Sequence, residues 1–139
     1  MLYGICYVST LNKPLSAQEL KLLFEFCATK NITEGISGVL LHNSGNFLQY
    51  FEGNKEDIQE LYTNKIKKDP RHKNIITLFE REINAQYFTG YEAGFTSIIE
   101  KNQIKNLRSY LKLLKYLDST EMKMLSNTVN SFLRAEYNS

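Results

Sequence analysis

Residues Leu2 to Ser9 alternate with Tyr3, Ile5 and Tyr7 on one side and Leu2, Cys6 and Val8 on the other, interrupted only by Gly4. Successive strand side chains point to opposite faces, so this strand is apolar on both. A strand of that kind belongs in the middle of a sheet whose two faces are both covered. The rest of the chain therefore has to supply two layers.

The length of 139 residues fits one domain with a terminal helical appendage. Hydrophobic residues make up 42% and aromatics 12%, with nine Tyr and eight Phe, enough for an ordinary globular core without staples. The 17 basic and 15 acidic residues leave a net charge of +2, which is no global polyanion signal. Cys6 and Cys27 stand in apolar surroundings and read as reduced core thiols. His42 and His72, the only histidines, are not spaced for a metal site, so no metal is expected. The N-terminus lacks a signal-peptide pattern and no run of 18 apolar residues occurs, so a soluble, cytoplasmic chain without a membrane role is expected.

After the first strand, Ser16-Ala17-Gln18-Glu19 is a capping box. The helix it opens carries Leu20, Leu23, Phe24 and Cys27 at helical spacing, running to about Lys30 with Asn31 at its exit. Ile36 to Leu41 is a second strand, joined by the turn Asn43-Ser44-Gly45-Asn46 to a third around Phe47-Leu48-Gln49-Tyr50-Phe51-Glu52-Gly53. Asn54 starts a helix with Ile58, Leu61, Tyr62 and Ile66 buried, and Asp69-Pro70 ends it. Asn74 to Arg81, centred on Ile75-Ile76-Thr77-Leu78-Phe79, and Tyr91 to Ile99 read as further strands.

The order βαββαββ predicts an α+β, ferredoxin-like mixed sheet with two helices on one face and strands one and three central. Residues 1–100 form that unit. Residues 101–139 are expected to add a helical hairpin on the opposite face, over Leu2, Cys6, Val8, Leu48 and Tyr50. Its stripes are Ile104, Leu107, Leu111 and Leu114, then Met122, Leu125, Val129 and Phe132 after the cap Asp118-Ser119-Thr120-Glu121.

Gln49 shares a strand face with Phe47 and Phe51, while Leu48, Tyr50 and Glu52 take the other. A buried amide left unpaired costs roughly 1–3 kcal/mol. Tyr7, on the neighbouring central strand, is its natural partner by parity, although parity alone fixes neither register nor the covered face.

Tyr7, Asn31 followed by Gly35-Ile36-Ser37-Gly38, Gln49 in its strand, Asp69-Pro70-Arg71-His72 and Phe88 occur in an order that resembles the BLUF (blue light using flavin) domain, over residues 1 to 98. The two C-terminal helices are similar to those of its short members, which carry no enzymatic output domain. The resemblance implies a flavin, FAD with FMN as the alternative, between the two helices. Asn31 would bond the polar edge of the ring system, and Gln49 both the flavin and the Tyr7 hydroxyl. Lys65, Asp69, Arg71 and His72 would meet the outer ring or the ribityl and phosphate chain, with Phe24, Ile66 and Phe47 as apolar walls. Blue light would rearrange the Tyr7–Gln49–flavin network without turnover of a substrate, and the short members' habit implies a protein partner or a homo-oligomer as output.

The chain departs from the family where Trp-x-Met commonly stands on the fifth strand: Tyr91-Glu92-Ala93 is found instead, leaving Tyr91 and Ala93 as candidate relays. Taken singly, Tyr7 is a core phenol, Asn31 a helix cap, Arg71-His72 surface, and Lys65 part of a charge cluster favourable at a helix end. A rival class is an RNA-binding module on the same fold, with Tyr50 stacking on bases and residues 101–139 holding seven Lys or Arg against three Asp or Glu. The Lys/Arg-Gly-Phe pattern of that class is missing. A flavin-free interaction module is a second alternative, and an acylphosphatase-like enzyme lacks its phosphate-cradling loop here.

Overall fold

The computed structural model describes residues 1–89, 95–98, 101–115 and 120–137. Its elements are β1 (Leu2–Leu11), α1 (Ala17–Thr33), β2 (Ser37–Asn43), β3 (Asn46–Asn54), α2 (Lys55–Glu60) with a π-helical continuation (Leu61–Ile66), β4 (His72–Ile83), β5 (Phe95–Ile98), α3 (Lys101–Lys115) and α4 (Thr120–Tyr137). The sheet order is β4-β1-β3-β2-β5, with β5 parallel to β2 and every other neighbouring pair antiparallel. This is the ferredoxin-like arrangement, extended by one strand.

β1 is central, as its two apolar faces require. Tyr3, Ile5 and Tyr7 join Phe47 and Phe51 of β3 in a front core beneath α1 and α2. Cys6, Leu48 and Tyr50 join Leu107, Leu111, Leu125 and Val129 in a back core beneath α3 and α4. Tyr50, which a base-stacking surface would have to expose, is 0% exposed.

Local chemistry sets the boundaries. Ser16 accepts from the Glu19 amide and the Glu19 carboxylate accepts from the Ser16 amide, while Asn54 caps α2 through Glu56. Gly38 is needed where β2 crosses β3, because a Cβ there would lie 2.0 Å from the Tyr50 carbonyl oxygen.

Four expectations change. α1 continues to Thr33, so Asn31 lies inside its last turn rather than at its exit. Ile76 and Leu78 are exposed because β4 is an edge strand, and Leu78 is the extra residue of a bulge between the Cys6–Phe79 and Tyr7–Thr77 pairs. Such bulges also blunt an edge against stray pairing. On α4, Leu133 is buried and Phe132 half-buried, since three-residue and four-residue steps from Val129 fall on either side of the same stripe. Leu2 is half-buried and outside the back core. The expected strand start at Tyr91, Ala93 and the cap at residues 118 and 119 lie outside the described residues.

The back layer gives a direct test. Leu107 is fully buried, so Leu107→Ala should cost about 2–5 kcal/mol in urea denaturation. Leu113→Ala, at an exposed position of the same helix, should stay within about 0.5 kcal/mol.

Candidate functional site

Tyr7 and Gln49 stand directly opposite each other in the β1–β3 register. Antiparallel partners share a face with Cβ atoms about 4.5–5.5 Å apart, so the register alone brings phenol and carboxamide together. The Tyr7 hydroxyl donates to Gln49 Oε1. The Tyr7 ring is held by Tyr62 at 5.4 Å, by Phe51 edge-on at 6.1 Å and by His72 at 6.3 Å between centroids. Tyr62 is itself fixed by a 2.5 Å hydrogen bond between its hydroxyl and Thr77 Oγ1.

Burial pushes the Tyr7 phenol well above its ordinary range, with Cys27 and Tyr62 adding to the effect. It therefore keeps its proton throughout the neutral range, the form in which it donates to Gln49.

Beside this pair lies a slot with a cavity volume of about 140 Å³, against the roughly 10–15 Å³ that admits one water. All ten residues expected around a flavin line it: Tyr7, Phe24, Asn31, Phe47, Gln49, Lys65, Ile66, Asp69, Arg71 and His72. Its walls also include Leu23, Phe26, Cys27, Lys30, Leu40 and Leu61. Leu23 and Cys27 were legible on the apolar stripe of α1. Leu40 is the β2 neighbour of Gln49 in the register, and no local signal singles it out.

Two amides give the slot its polarity. Asn31 and Gln49 are 5% and 6% exposed, and among the described residues neither the Asn31 carboxamide nor Gln49 Nε2 has a protein partner. Every described side-chain polar atom that is shut off from solvent is bonded, so these groups open onto the slot. A flat heterocycle with an apolar body and a carbonyl- and nitrogen-bearing edge fits such a donor set.

The rim is built differently. From Leu61 the second helix widens into π-helical geometry, with the Lys67 amide donating to the Tyr62 carbonyl at 2.9 Å. The wider turn lets Leu61, Lys65 and Ile66 all border the slot. His72 Nε2 meets the Ile66 carbonyl at 2.6 Å and Nδ1 meets Ser9 Oγ at 2.8 Å. A carbonyl only accepts, so Nε2 carries a proton, while Nδ1 is held by the Ser9 hydroxyl, which can serve as donor or acceptor. Both ring nitrogens are thus engaged by the protein, and His72 anchors the rim. Arg71 grips Asp69 through two side-chain nitrogens, the shorter contact 2.5 Å. Burial alone would raise the Asp69 carboxyl, but Arg71 outweighs it and holds it below the usual carboxylate range.

Comparison with known proteins agrees with this geometry. A family model described as BLUF, sensors of blue-light using FAD, matches residues 2–94. The chain belongs to the BLUF family, whose members sense blue light with a bound flavin. A photoactivated adenylate cyclase subunit beta from Euglena gracilis is 27% identical over 132 residues, covering 88% of this chain and 15% of that protein. The solved photo-activated state of BlsA is 27% identical with a TM-score of 0.65, covering 96% of this chain and 85% of that one. Klebsiella pneumoniae BlrP1 in a calcium and cyclic diGMP complex shares the fold with a TM-score of 0.72 at 23% identity, over 96% of this chain and 35% of its own.

Tyr7 also leaves a mark on stability. Its folded pKa lies above the ordinary 10.0, so its contribution is complete below pH 10 and is lost as pH rises toward the folded value. The melting temperature of Tyr7→Phe should therefore fall less steeply than wild type above pH 10, as followed by circular dichroism.

Proposed function

We propose that this chain works in the cytoplasm as a light-operated switch, with a flavin in the slot, and hands its signal to a protein partner or to further copies of itself. The observation that carries this reading is the Tyr7–Gln49 hydrogen bond with Gln49 Nε2 turned toward the slot. Flavin, when bound, supplies a strong oxidant on absorbing blue light.

The residues divide the work. Asn31 would bond the polar edge of the ring, while Phe24, Phe47 and Ile66 enclose its apolar body. Lys65, Arg71 and Asp69 would receive the outer ring and the ribityl and phosphate chain, and FAD or FMN suits this rim. His72 would support them from behind, because its nitrogens serve Ser9 and Ile66.

Tyr7 and Gln49 carry the switch itself. The carboxamide holds the phenolic proton at Oε1 and presents Nε2 to the slot. Half a turn exchanges the two atoms, so that Tyr7 faces an N–H and must accept where it had donated. Tautomerisation of the amide reaches a comparable rearrangement. Either way the network changes while the net charge stays the same.

No helix among the described residues is long and apolar enough to cross a membrane. The chain spans 15% of the Euglena gracilis subunit beta, whose name records an adenylate cyclase. Here the light-sensing portion is proposed to act by association, without turnover of its own.

The purified protein should be yellow, and blue light should shift its absorption slightly to the red, with recovery in the dark. Tyr7→Phe and Gln49→Leu should retain flavin and lose the shift. Asn31→Ala should weaken flavin binding about tenfold, the equivalent of one lost hydrogen bond of about 1.4 kcal/mol. A colourless wild-type protein after refolding with excess FAD, or a shift that survives in Gln49→Leu, would overturn the reading.

A further inference from the structure

Glu52 is a fully buried carboxylate at 0% exposure, and the light chemistry gives it no task. It lies on β3, three residues beyond Gln49, and the odd separation turns it to the back of the sheet. Its oxygens accept from Ser37 Oγ at 2.5 Å, from the Tyr50 hydroxyl at 2.9 Å and from the Phe88 amide at 2.8 Å. Among the described residues no cation pairs with it. Burial pushes its carboxyl above the usual carboxylate range, and the hydrogen bonds from Ser37, the Tyr87 and Phe88 backbones and Tyr50 offset that only in part.

The surroundings are arranged for this group. Ser37 faces Glu52 across the β2–β3 pair, and Gln86 Nε2 donates to Ser37 Oγ at 3.0 Å. A Cβ at Gly4, opposite Glu52 on β1, would come within 2.7 Å of the Tyr50 hydroxyl. The bare glycine therefore leaves the space through which that phenol reaches the carboxylate. The break in the apolar alternation of β1 has its physical reason here.

The clasp leads to the back helices. The Phe88 ring packs at a tilt between Tyr50 at 5.6 Å and Tyr110 of α3 at 5.7 Å. The Tyr110 hydroxyl donates to the Tyr87 carbonyl at 2.7 Å. A continuous set of directional bonds thus runs from the strand of Gln49 through Glu52 and residues 87 and 88 to α3.

We infer that Glu52 is a positioning residue of the light response, holding residues 86–88 so that a displacement of β3 at Gln49 is passed through Tyr87 and Phe88 to Tyr110 and α3. This rests on the light-sensing reading of the slot. Hydrogen bonds are directional where apolar packing is not, so a rigid link between strand and helix gains from a carboxyl group that accepts from three fixed donors, where packing alone would need an apolar side chain.

The test compares flavin-loaded wild type, Glu52→Leu, Glu52→Gln and Tyr110→Phe, measuring the flavin absorption shift and the light-minus-dark hydrogen exchange of peptides covering residues 101–115. Wild type should show both responses. Glu52→Leu and Tyr110→Phe should keep the absorption shift and lose at least two-thirds of the exchange difference in α3. Glu52→Gln should keep more than half of it, since its amide oxygen still accepts from Phe88 while the Tyr50 hydroxyl turns to accept. A purely structural clasp would raise exchange equally in light and dark and leave the difference intact. An unchanged difference in Tyr110→Phe, which carries the test alone should Glu52→Leu not fold, overturns the inference. So does a wild type whose absorption shifts while α3 stays silent. A wild type without any shift fails the light-sensing reading instead and takes this inference with it.

Discussion

Everything at the site depends on one cross-strand pair. Tyr7 and Gln49 are partners in the β1–β3 ladder, and a slip of one residue would send one of them to the opposite face. The phenol would then lie among the leucines of the back core and the carboxamide would be buried without its partner, at a cost of about 1–3 kcal/mol. The register is pinned at both ends. The hairpin turn fixes β3 against β2, with Asn43 opposite Asn46, and Leu2 pairs with Asn54 where β3 gives way to α2. A switch of two side chains is thus set by backbone hydrogen bonds along two strands.

The layers on either side then have distinct tasks. The front helices leave a slot because their facing side chains stop short of the sheet around Tyr7 and Gln49, and the π-helical turn at Leu61–Ile66 shapes its rim. The back helices are densely packed at their centre, where Leu107, Leu111, Met122, Leu125 and Val129 are at most 1% exposed. A dense layer transmits strain where a loose one absorbs it. The open face receives a ligand, and the packed face is suited to respond as a body.

Much of this was legible from residue types and spacing. Strand parity put Tyr7 with Gln49 and Cys6 with Tyr50, the capping box set the start of α1, and the stripes of α3 and α4 named nearly all of their buried residues. These signals are local: each depends on a few neighbours in the chain. The features that escaped depend on distant groups. The π-helical turn has no periodicity signature in six residues, and the Leu78 bulge is a property of the pair β1–β4. The engagement of both His72 nitrogens needs Ser9, 63 residues away. The neutral donors around Glu52 come from three separate parts of the chain, so a glutamate in a strand gave no hint of a buried carboxyl group.

The substitution at positions 91 and 93 gives that carboxylate its weight. In the family pattern a tryptophan and a methionine commonly occupy the fifth strand, and this chain has Tyr91 and Ala93 instead. An alanine offers no side chain long enough to read the orientation of Gln49, so the proposed relay would draw on another contact with β3. Glu52 meets that need from the reverse side of the same strand. In the proposed switch, rotation of the Gln49 amide would alter the pull on a backbone that also carries Glu52, and at Glu52 that backbone is tied to Phe88 by a directional bond as well as by packing. An edge of the sheet that had lost its long side chains could then still be informed through its preceding loop, provided that loop is gripped by something stiffer than van der Waals contact. A carboxylate accepting a main-chain amide at 2.8 Å, in a core that screens it from water, is such a grip.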